Sequence, residues 1–138
     1  MSDLVGTVVD VVPFAVERGK IAEFARATRA SDPRHHGPDA LATATHVVTA
    51  GHHRDQTAFV EKLGLELGRV VVGSVSWEYV RPLRAGDSVT GTRTVIADER
   101  RTGRQGTMRV VTLETVYVDA TGAVAVRQRE VLIERGQG

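Results

Sequence analysis

The sequence predicts an α+β protein in which one long antiparallel sheet wraps around a helix. Apolar residues recur at helical spacing in two stretches before residue 64, and four stretches with period-two alternation follow from residue 69 onward. The chain has 138 residues, of which 41% are hydrophobic and 25% are charged. This length and composition are typical of one folded domain, so residues 1–138 are treated as a single domain.

The chain begins with a strand and a short helix. Residues 5–16 are rich in β-branched side chains, and Pro13 predicts that this strand is an edge strand or a bulged strand. The stretch 17–30 carries apolar and small residues on one face and charged residues on the other. The apolar positions are Ile21, Phe24, Ala25 and Thr28. This spacing predicts an amphipathic helix.

A proline-containing loop and a longer helix come next. Residues 31–39 (SDPRHHGPD) contain two prolines and two aspartates, which end the first helix and favour a loop. A helix is predicted from about Thr45 to Leu63, although its middle, residues 51–56, is polar. The glycines of the LGLELG segment are expected to end this helix.

Four strands are predicted in the second half of the chain. They cover residues 69–83, 87–99, 107–119 and 123–135. Turns are expected at residues 84–87 and 119–122, and a polar hairpin loop is expected at residues 99–106. Only the last residues, 136–138, have the composition of a frayed tail.

These elements together indicate the hot-dog fold. One face of the sheet must be covered, and the longer helix is the only predicted element large enough to cover it. A sheet wrapped around a single central helix is the hot-dog arrangement. A single sheet of this size leaves an open edge, and pairing two sheets edge to edge would protect it. We therefore expect at least a dimer.

Composition limits the classes of function. The net charge is +1, which gives no reason to expect nucleic acid or an anionic membrane as the main partner. The absence of cysteine excludes disulfides, thiolate nucleophiles and thiolate metal sites. No apolar run approaches the roughly 18 residues of a membrane span, and no signal-peptide pattern follows Met1. The simplest expectation is a cytoplasmic protein.

Three stretches of the sequence resemble a known family. They are residues 16–27, residues 63–87 with the segment RPLRAGD, and residues 99–122. Together they are similar to the MaoC-like, FAS1-type dehydratase N-terminal family, which includes catalytic and non-catalytic subunits of (3R)-hydroxyacyl-carrier-protein dehydratases. The resemblance implies a substrate that is a thioester of acyl carrier protein or coenzyme A, and it implies no cofactor.

The resemblance also places a catalytic motif after the first helix. Active members of the wider hydratase family carry Asp-x-Asn-Pro-x-His, in which His and Asp form a general base and acid pair. Residues 30–35 occupy this motif, and Pro33 and His35 match it. Ala30 stands where the family has the catalytic Asp, and Asp32 stands where it has Asn. The resemblance therefore implies His35 as base. Asp32 becomes the candidate substitute acid, either with His35 or, after a one-residue slip, with His36.

A second motif position lies at the start of the longer helix. There the family has an Ala-Pro-Pro-Thr-Phe type segment, whose backbone N–H groups hold the thioester oxygen. This chain reads Ala42-Thr43-Ala44-Thr45-His46 at that place. The candidate substrate-binding residues are therefore Ala44, Thr45 and His46. Thr45 suits an N-cap, and His46 adds a titratable group near the expected reaction centre.

These observations lead to one main interpretation and two alternatives. The main one is a hydro-lyase that dehydrates (3R)-3-hydroxyacyl thioesters, or hydrates 2-enoyl thioesters, in fatty-acid or polyketide-type biosynthesis. The first alternative is a non-catalytic subunit that binds the acyl chain and stabilises an active partner, so both homodimer and heterodimer remain open. The second is a thioesterase or other acyl-thioester chemistry on the same fold.

Two other sequence features could form binding sites. All five histidines lie between residues 35 and 53, but no metal-ligand spacing is present, and no metal is expected. The basic segment with Arg100, Arg101 and Arg104 could contact the phosphates of coenzyme A or an acidic carrier protein. A solvated turn is the preferred interpretation of that segment.

Overall fold

A five-stranded antiparallel sheet dominates the computed structural model, which describes residues 4–104 and 106–136. The strands are β1 (Val8–Ala15), β2 (Val70–Tyr79), β3 (Ser88–Gly103), β4 (Gly106–Asp119) and β5 (Val124–Glu134). Their order in the sheet is β1-β3-β4-β5-β2, and all neighbouring strands are antiparallel. Strands β1 and β2 are therefore the sheet edges. The prediction that Pro13 marks an edge or bulged strand is confirmed, since β1 lies at the edge.

The hairpin between β3 and β4 is longer than predicted. The polar segment 99–106 was expected to be a loop, but β3 continues to Gly103 and β4 begins at Gly106. Arg100 and Arg101 pair in register with Arg109 and Met108. The loop prediction was wrong because side chains on this part of the hairpin are exposed, so polarity does not oppose strand formation there. Residues 105, 137 and 138 lie outside the described residues.

The first helix, α1 (Arg18–Ala27), forms as predicted and buries Ile21 and Ala25. A single 3-10 turn, Pro33–His35, follows in the proline-containing loop. Another 3-10 turn, Leu67–Arg69, leads into β2. No helix within residues 4–104 and 106–136 combines the length and apolar character that crossing a bilayer requires.

The single long helix predicted from Thr45 to Leu63 is wrong. The segment forms a 3-10 helix, His46–His53, and then a separate α-helix, α2 (Gln56–Leu63). Arg54 and Asp55 interrupt it, because both residues have extended backbone conformations between the two helices. The Asp55 carboxylate accepts a hydrogen bond from the Ala58 amide at 3.0 Å and caps α2.

Arg54 instead joins a buried network of charges beneath the two helices. Its guanidinium donates to Asp10 at 2.5 Å and to the Tyr117 hydroxyl at 3.2 Å. Arg93 donates to the same Asp10 carboxylate at 2.6 Å and to Glu130 at 3.0 Å. Both arginine side chains are only 4% exposed. Two arginines and two carboxylates balance in charge, and they tie the break between the helices to β1, β3 and β5.

The two short helices divide the core between them. The 3-10 helix contributes Val47 and Ala50 to one cluster of buried residues. That cluster also contains Ile21 of α1 and side chains from β1, β3, β4 and β5. Helix α2 contributes Phe59, Val60 and Leu63 to a second cluster with β3, β4 and β5. The sheet is therefore covered as predicted, but by two consecutive helices instead of one.

Candidate active site

A cleft of about 490 Å³ opens beside the loop that follows α1. One wall is formed by that loop, and the other by the end of β2 and the segment after it. The lining residues are Ala30, Asp32, Arg34, His35, Leu41, Ala42, Thr43, Ala44 and residues 79–83. The Ala42 amide donates to the Leu83 carbonyl at 2.9 Å, which joins the two walls. The cleft thus brings together three sequence-predicted residues, His35, Asp32 and Ala44.

His35 is held in one orientation by the backbone. Its Nδ1 lies 2.6 Å from the Leu41 carbonyl oxygen. A carbonyl oxygen only accepts hydrogen bonds, so Nδ1 carries the proton in the neutral ring. The lone pair then resides on Nε2, which is the arrangement that a general base requires. The 3-10 turn Pro33–His35 positions the ring, and Asp32 caps that turn through the Arg34 amide at 2.9 Å.

Asp32 is engaged by its neighbour Arg34. The guanidinium donates to the carboxylate through Nη2 at 2.7 Å and through Nε at 3.1 Å. These hydrogen bonds, together with the one donated by the Arg34 backbone N–H, lower the pKa of Asp32 to about 2. A general acid must hold a proton at working pH, and this carboxylate does not. The pairing with Arg34 therefore argues against Asp32 as the substitute acid.

No other lining residue supplies a protonated carboxyl group. Ala30 lines the cleft at the position of the family's catalytic Asp. The Tyr79 hydroxyl donates to the Ala44 carbonyl, and burial raises the pKa of Tyr79 to about 12. Arg81 forms ion pairs with Asp87 at 2.9 Å and with Asp119 at 3.4 Å. The hydrogen bond to Asp87 raises the pKa of Arg81 above its ordinary value. Among the described residues of the cleft, His35 is present, and no lining residue holds a protonated carboxyl group.

The segment predicted to hold the acyl oxygen is only partly available. The His46 amide donates to the Thr43 carbonyl at 3.1 Å, so it is occupied within the chain. Thr45 precedes the 3-10 helix as predicted, but its side chain makes no capping hydrogen bond. The amides of Ala44 and Thr45 remain as the candidates for an acyl oxygen. Tyr79 fixes this segment by its hydrogen bond to the Ala44 carbonyl.

His46 does not lie in this cleft. Its side chain is 1% exposed and contacts Phe14 and Phe24, at ring-centre distances of 5.9 and 5.5 Å. Burial lowers the pKa of His46, so the ring is neutral near pH 7. The expectation of a titratable group beside the reaction centre is corrected: His46 lines a different pocket, between α1 and the 3-10 helix.

Three residues that line the cleft were not identified as site residues from the sequence: Tyr79, Arg81 and Thr43. Tyr79 alternates with Trp77 on a strand, a pattern that most often indicates packing. Arg81 belongs to the segment RPLRAGD, which carried the family resemblance, and that segment was the available signal for it. Thr43 lines the cleft with a buried hydroxyl that has no hydrogen-bond partner among the described residues.

The basic hairpin lies far from the cleft. Arg100 pairs with Arg109, and ten residues of β4 separate Arg109 from Asp119, the partner of Arg81 at the cleft. At 3.3 Å per residue this separation is about 33 Å. At this distance, the hairpin does not reach the phosphates of a substrate whose acyl group lies in the cleft of the same chain. In the described part of the chain, no three metal-ligating side chains come together as a possible metal site.

Comparisons with known proteins agree with this architecture. Residues 3–128 match the family model of the FAS1-like, dehydratase domain region. A UPF0336 protein of Clavibacter michiganensis subsp. michiganensis is 34% identical over 134 residues, covering 90% of this chain and 87% of that protein.

Two solved structures show the same fold. The HadBC (3R-hydroxyacyl-ACP dehydratase) complex of Mycobacterium tuberculosis aligns with TM-score 0.77 and 18% identity, over 96% of this chain and 98% of that chain. A MaoC-like dehydratase aligns with TM-score 0.80 and 20% identity, over 96% of this chain and 42% of that chain. The predicted hot-dog fold is confirmed.

Proposed function

This chain belongs to the family of FAS1-like dehydratase domains, and we propose that it is the acyl-binding subunit of a two-subunit hot-dog dehydratase. The assembly would dehydrate (3R)-3-hydroxyacyl thioesters, or hydrate 2-enoyl thioesters, with the acyl group carried by a carrier protein or coenzyme A. Turnover would require a second hot-dog subunit with the complete Asp-x-Asn-Pro-x-His motif.

One observation carries the proposal: among the described residues that line the cleft, none supplies a protonated carboxyl group. Dehydration removes a proton next to the thioester carbonyl and must protonate the departing hydroxyl. Ala30 occupies the acid position, and Arg34 keeps Asp32 ionised with a pKa of about 2. The loss of a general acid typically costs 10²–10⁴-fold in rate. Binding of the acyl group needs no such residue.

Two features support a binding role and a partner. Ala44 lines the cleft together with Leu41 and Leu83, and its amide has no backbone hydrogen bond among the described residues, which suits a thioester oxygen and the adjoining chain. Edge strand β2 exposes Val72, which is 61% accessible, and an apolar edge is suited to pairing with another sheet. The similar HadBC protein is itself a complex of two chains.

A second candidate function is dehydration by this chain alone. The observation that favours it is the Nδ1–H of His35 on the Leu41 carbonyl, which leaves Nε2 ready to accept a proton. This candidate requires an acid from outside the described cleft residues. A thioesterase is distinguished from both candidates by its product, because it releases a free thiol and a hydratase does not.

The test measures hydration of a 2-enoyl thioester by this chain alone, by a motif-bearing hot-dog subunit alone, and by the two together. We expect no turnover from this chain alone, and more activity or tighter substrate binding in the mixture than in the partner alone. Val72→Lys should abolish the gain by disrupting the β2 edge. Val11→Lys changes an equally exposed valine on the opposite edge strand and is the matched control.

The outcome separates the candidates. Turnover by this chain alone that disappears in His35→Ala would replace the proposal with the second candidate. Release of free thiol would favour the thioesterase alternative. A mixture no different from the partner alone, in both rate and substrate affinity, would contradict the proposed partnership.

A further inference from the structure

A second pocket lies between α1 and the 3-10 helix His46–His53, with a volume of about 400 Å³. Its lining residues are all different from those of the cleft. Phe14, Phe24 and Ala27 form apolar parts of its wall, and the buried ring of His46 forms another part. This volume falls within the range of small-molecule sites in proteins.

The two nitrogens of His46 have different surroundings. Nδ1 is enclosed by the protein and has no hydrogen-bond partner among the described residues. His46 lines the pocket, and Nε2 is the ring nitrogen that is not among the enclosed, unpaired atoms, which is why we assign Nε2 to the pocket side of the ring. The ring is fixed by Phe14 and by an edge-on contact with Phe24, at an interplanar angle of 86°. His46 therefore presents one nitrogen to the pocket in a set orientation.

The enclosed position of Nδ1 determines which nitrogen carries the proton. Burial lowers the pKa of His46, so the ring is neutral and holds a single N–H. Unpaired buried N–H groups are rarer in proteins than under-satisfied acceptors. The favoured tautomer keeps the lone pair on Nδ1 and the proton on Nε2. His46 then offers a hydrogen-bond donor at the apolar wall of the pocket.

The charges at the pocket disfavour an anion. Glu17 and Glu23 contribute two negative charges, and Lys20 contributes one positive charge. Lys20 is itself paired with Glu23 at 3.4 Å. The formal charge of these three side chains is −1, and the one lysine is already paired, which disfavours a carboxylate or a phosphate. His52 and His53 also line the pocket. An uncharged ligand is the better match for this environment.

We propose that this pocket is a second ligand site, which binds a neutral, mainly apolar small molecule through one acceptor oxygen that takes a hydrogen bond from His46 Nε2. Phe14 and Phe24 supply the apolar contact, and the acceptor completes the hydrogen bonding of the ring. The site is separate from the acyl-thioester cleft and does not depend on its function.

Acetophenone is a suitable probe because it has one acceptor oxygen on a planar apolar body, and ethylbenzene is its oxygen-free counterpart. Long-range ¹H–¹⁵N NMR of the histidine side chains reports both the tautomer of His46 and its contact with a ligand. We expect the Nε2–H tautomer in the free protein, a shift of the His46 resonances with acetophenone, and about fivefold tighter binding of acetophenone than of ethylbenzene.

Three variants complete the test. His46→Phe should remove the preference for acetophenone. Ala27→Trp fills the pocket from an exposed helix position and should abolish binding of both probes, whereas Arg26→Trp, on the adjacent exposed position outside the pocket, should not. An Nδ1–H tautomer, equal affinity for both probes, or unchanged binding in Ala27→Trp would overturn the proposal. None of these outcomes depends on thioester turnover.

Discussion

Replacing Asp10 with alanine removes the carboxylate that joins Arg54 and Arg93 in the protein interior. Arg93 would keep its bond to Glu130 at 3.0 Å and its position over the Phe59 ring, 4.0 Å from the ring centre. Arg54 would keep only the Tyr117 hydroxyl at 3.2 Å. The substitution therefore leaves one guanidinium buried without a counter-charge.

The expected loss of stability follows from that unpaired charge. Removing one member of a buried ion pair destabilises a protein by about 3–5 kcal/mol. The Asp10 side chain is 21% exposed, so water can reach part of the space that it leaves. We therefore expect the lower end of the range, about 3 kcal/mol, and a fall in Tm of about 10 °C for a chain of this size.

Urea unfolding followed by circular dichroism measures this loss directly. Glu99→Ala is the matched control, because its ion pair with Arg101 is solvent-exposed and should contribute less than about 1 kcal/mol. Asp10→Ala combined with Arg54→Met should recover part of the stability, since it removes the unpaired charge as well. A loss below about 1 kcal/mol in Asp10→Ala would refute the argument that this network holds the break between the two helices.

Two further predictions concern a close contact and a carboxylate. Gly91→Ala should lower the free energy of unfolding by about 1–3 kcal/mol in the same urea assay, because a Cβ there would lie 2.5 Å from the Tyr117 ring; unchanged stability would contradict that contact. Arg34→Ala should return the pKa of Asp32 from about 2 toward the ordinary aspartate value of 3.8, measured by NMR titration of the carboxyl group. Because the folded-state pKa is depressed, the stabilisation from this pair is present above pH 3.8 and is lost as pH falls through about 2. An unchanged titration would show that Arg34 does not hold the carboxylate.

Local patterns predicted the sheet and the first helix correctly. Apolar and polar residues alternate in a strand because successive side chains point to opposite faces of the sheet. Pro13 has no backbone N–H to donate to a neighbouring strand, so it marks an edge. The hairpin at residues 99–106 was missed because its exposed strands carry polar side chains on both faces. The polar side chains of this segment indicate that its strands are exposed to solvent, and they do not indicate a loop.

The break in the long helix could not be predicted because it depends on distant partners. Arg54 meets Asp10, which is 44 residues away in sequence, and no local pattern indicates that pairing. For the same reason, the sequence could not show that His46 lies between Phe14 and Phe24, away from His35. The motif located the cleft, but the ionisation of Asp32 followed only from the position of the Arg34 side chain.

The central claim is that this cleft can bind an acyl thioester but lacks the acid that dehydration needs. Ala30→Asp combined with Asp32→Asn would restore Asp-x-Asn-Pro-x-His at residues 30–35, with His35 already oriented by Leu41. Ala30→Asn with Asp32→Asn is the control, since it has the same shape without an ionisable group. The measurement is 2-enoyl-thioester hydration by each purified variant. We predict turnover in the restored variant and none in the wild type or the control. Turnover by the wild type alone, lost in His35→Ala, would contradict the claim.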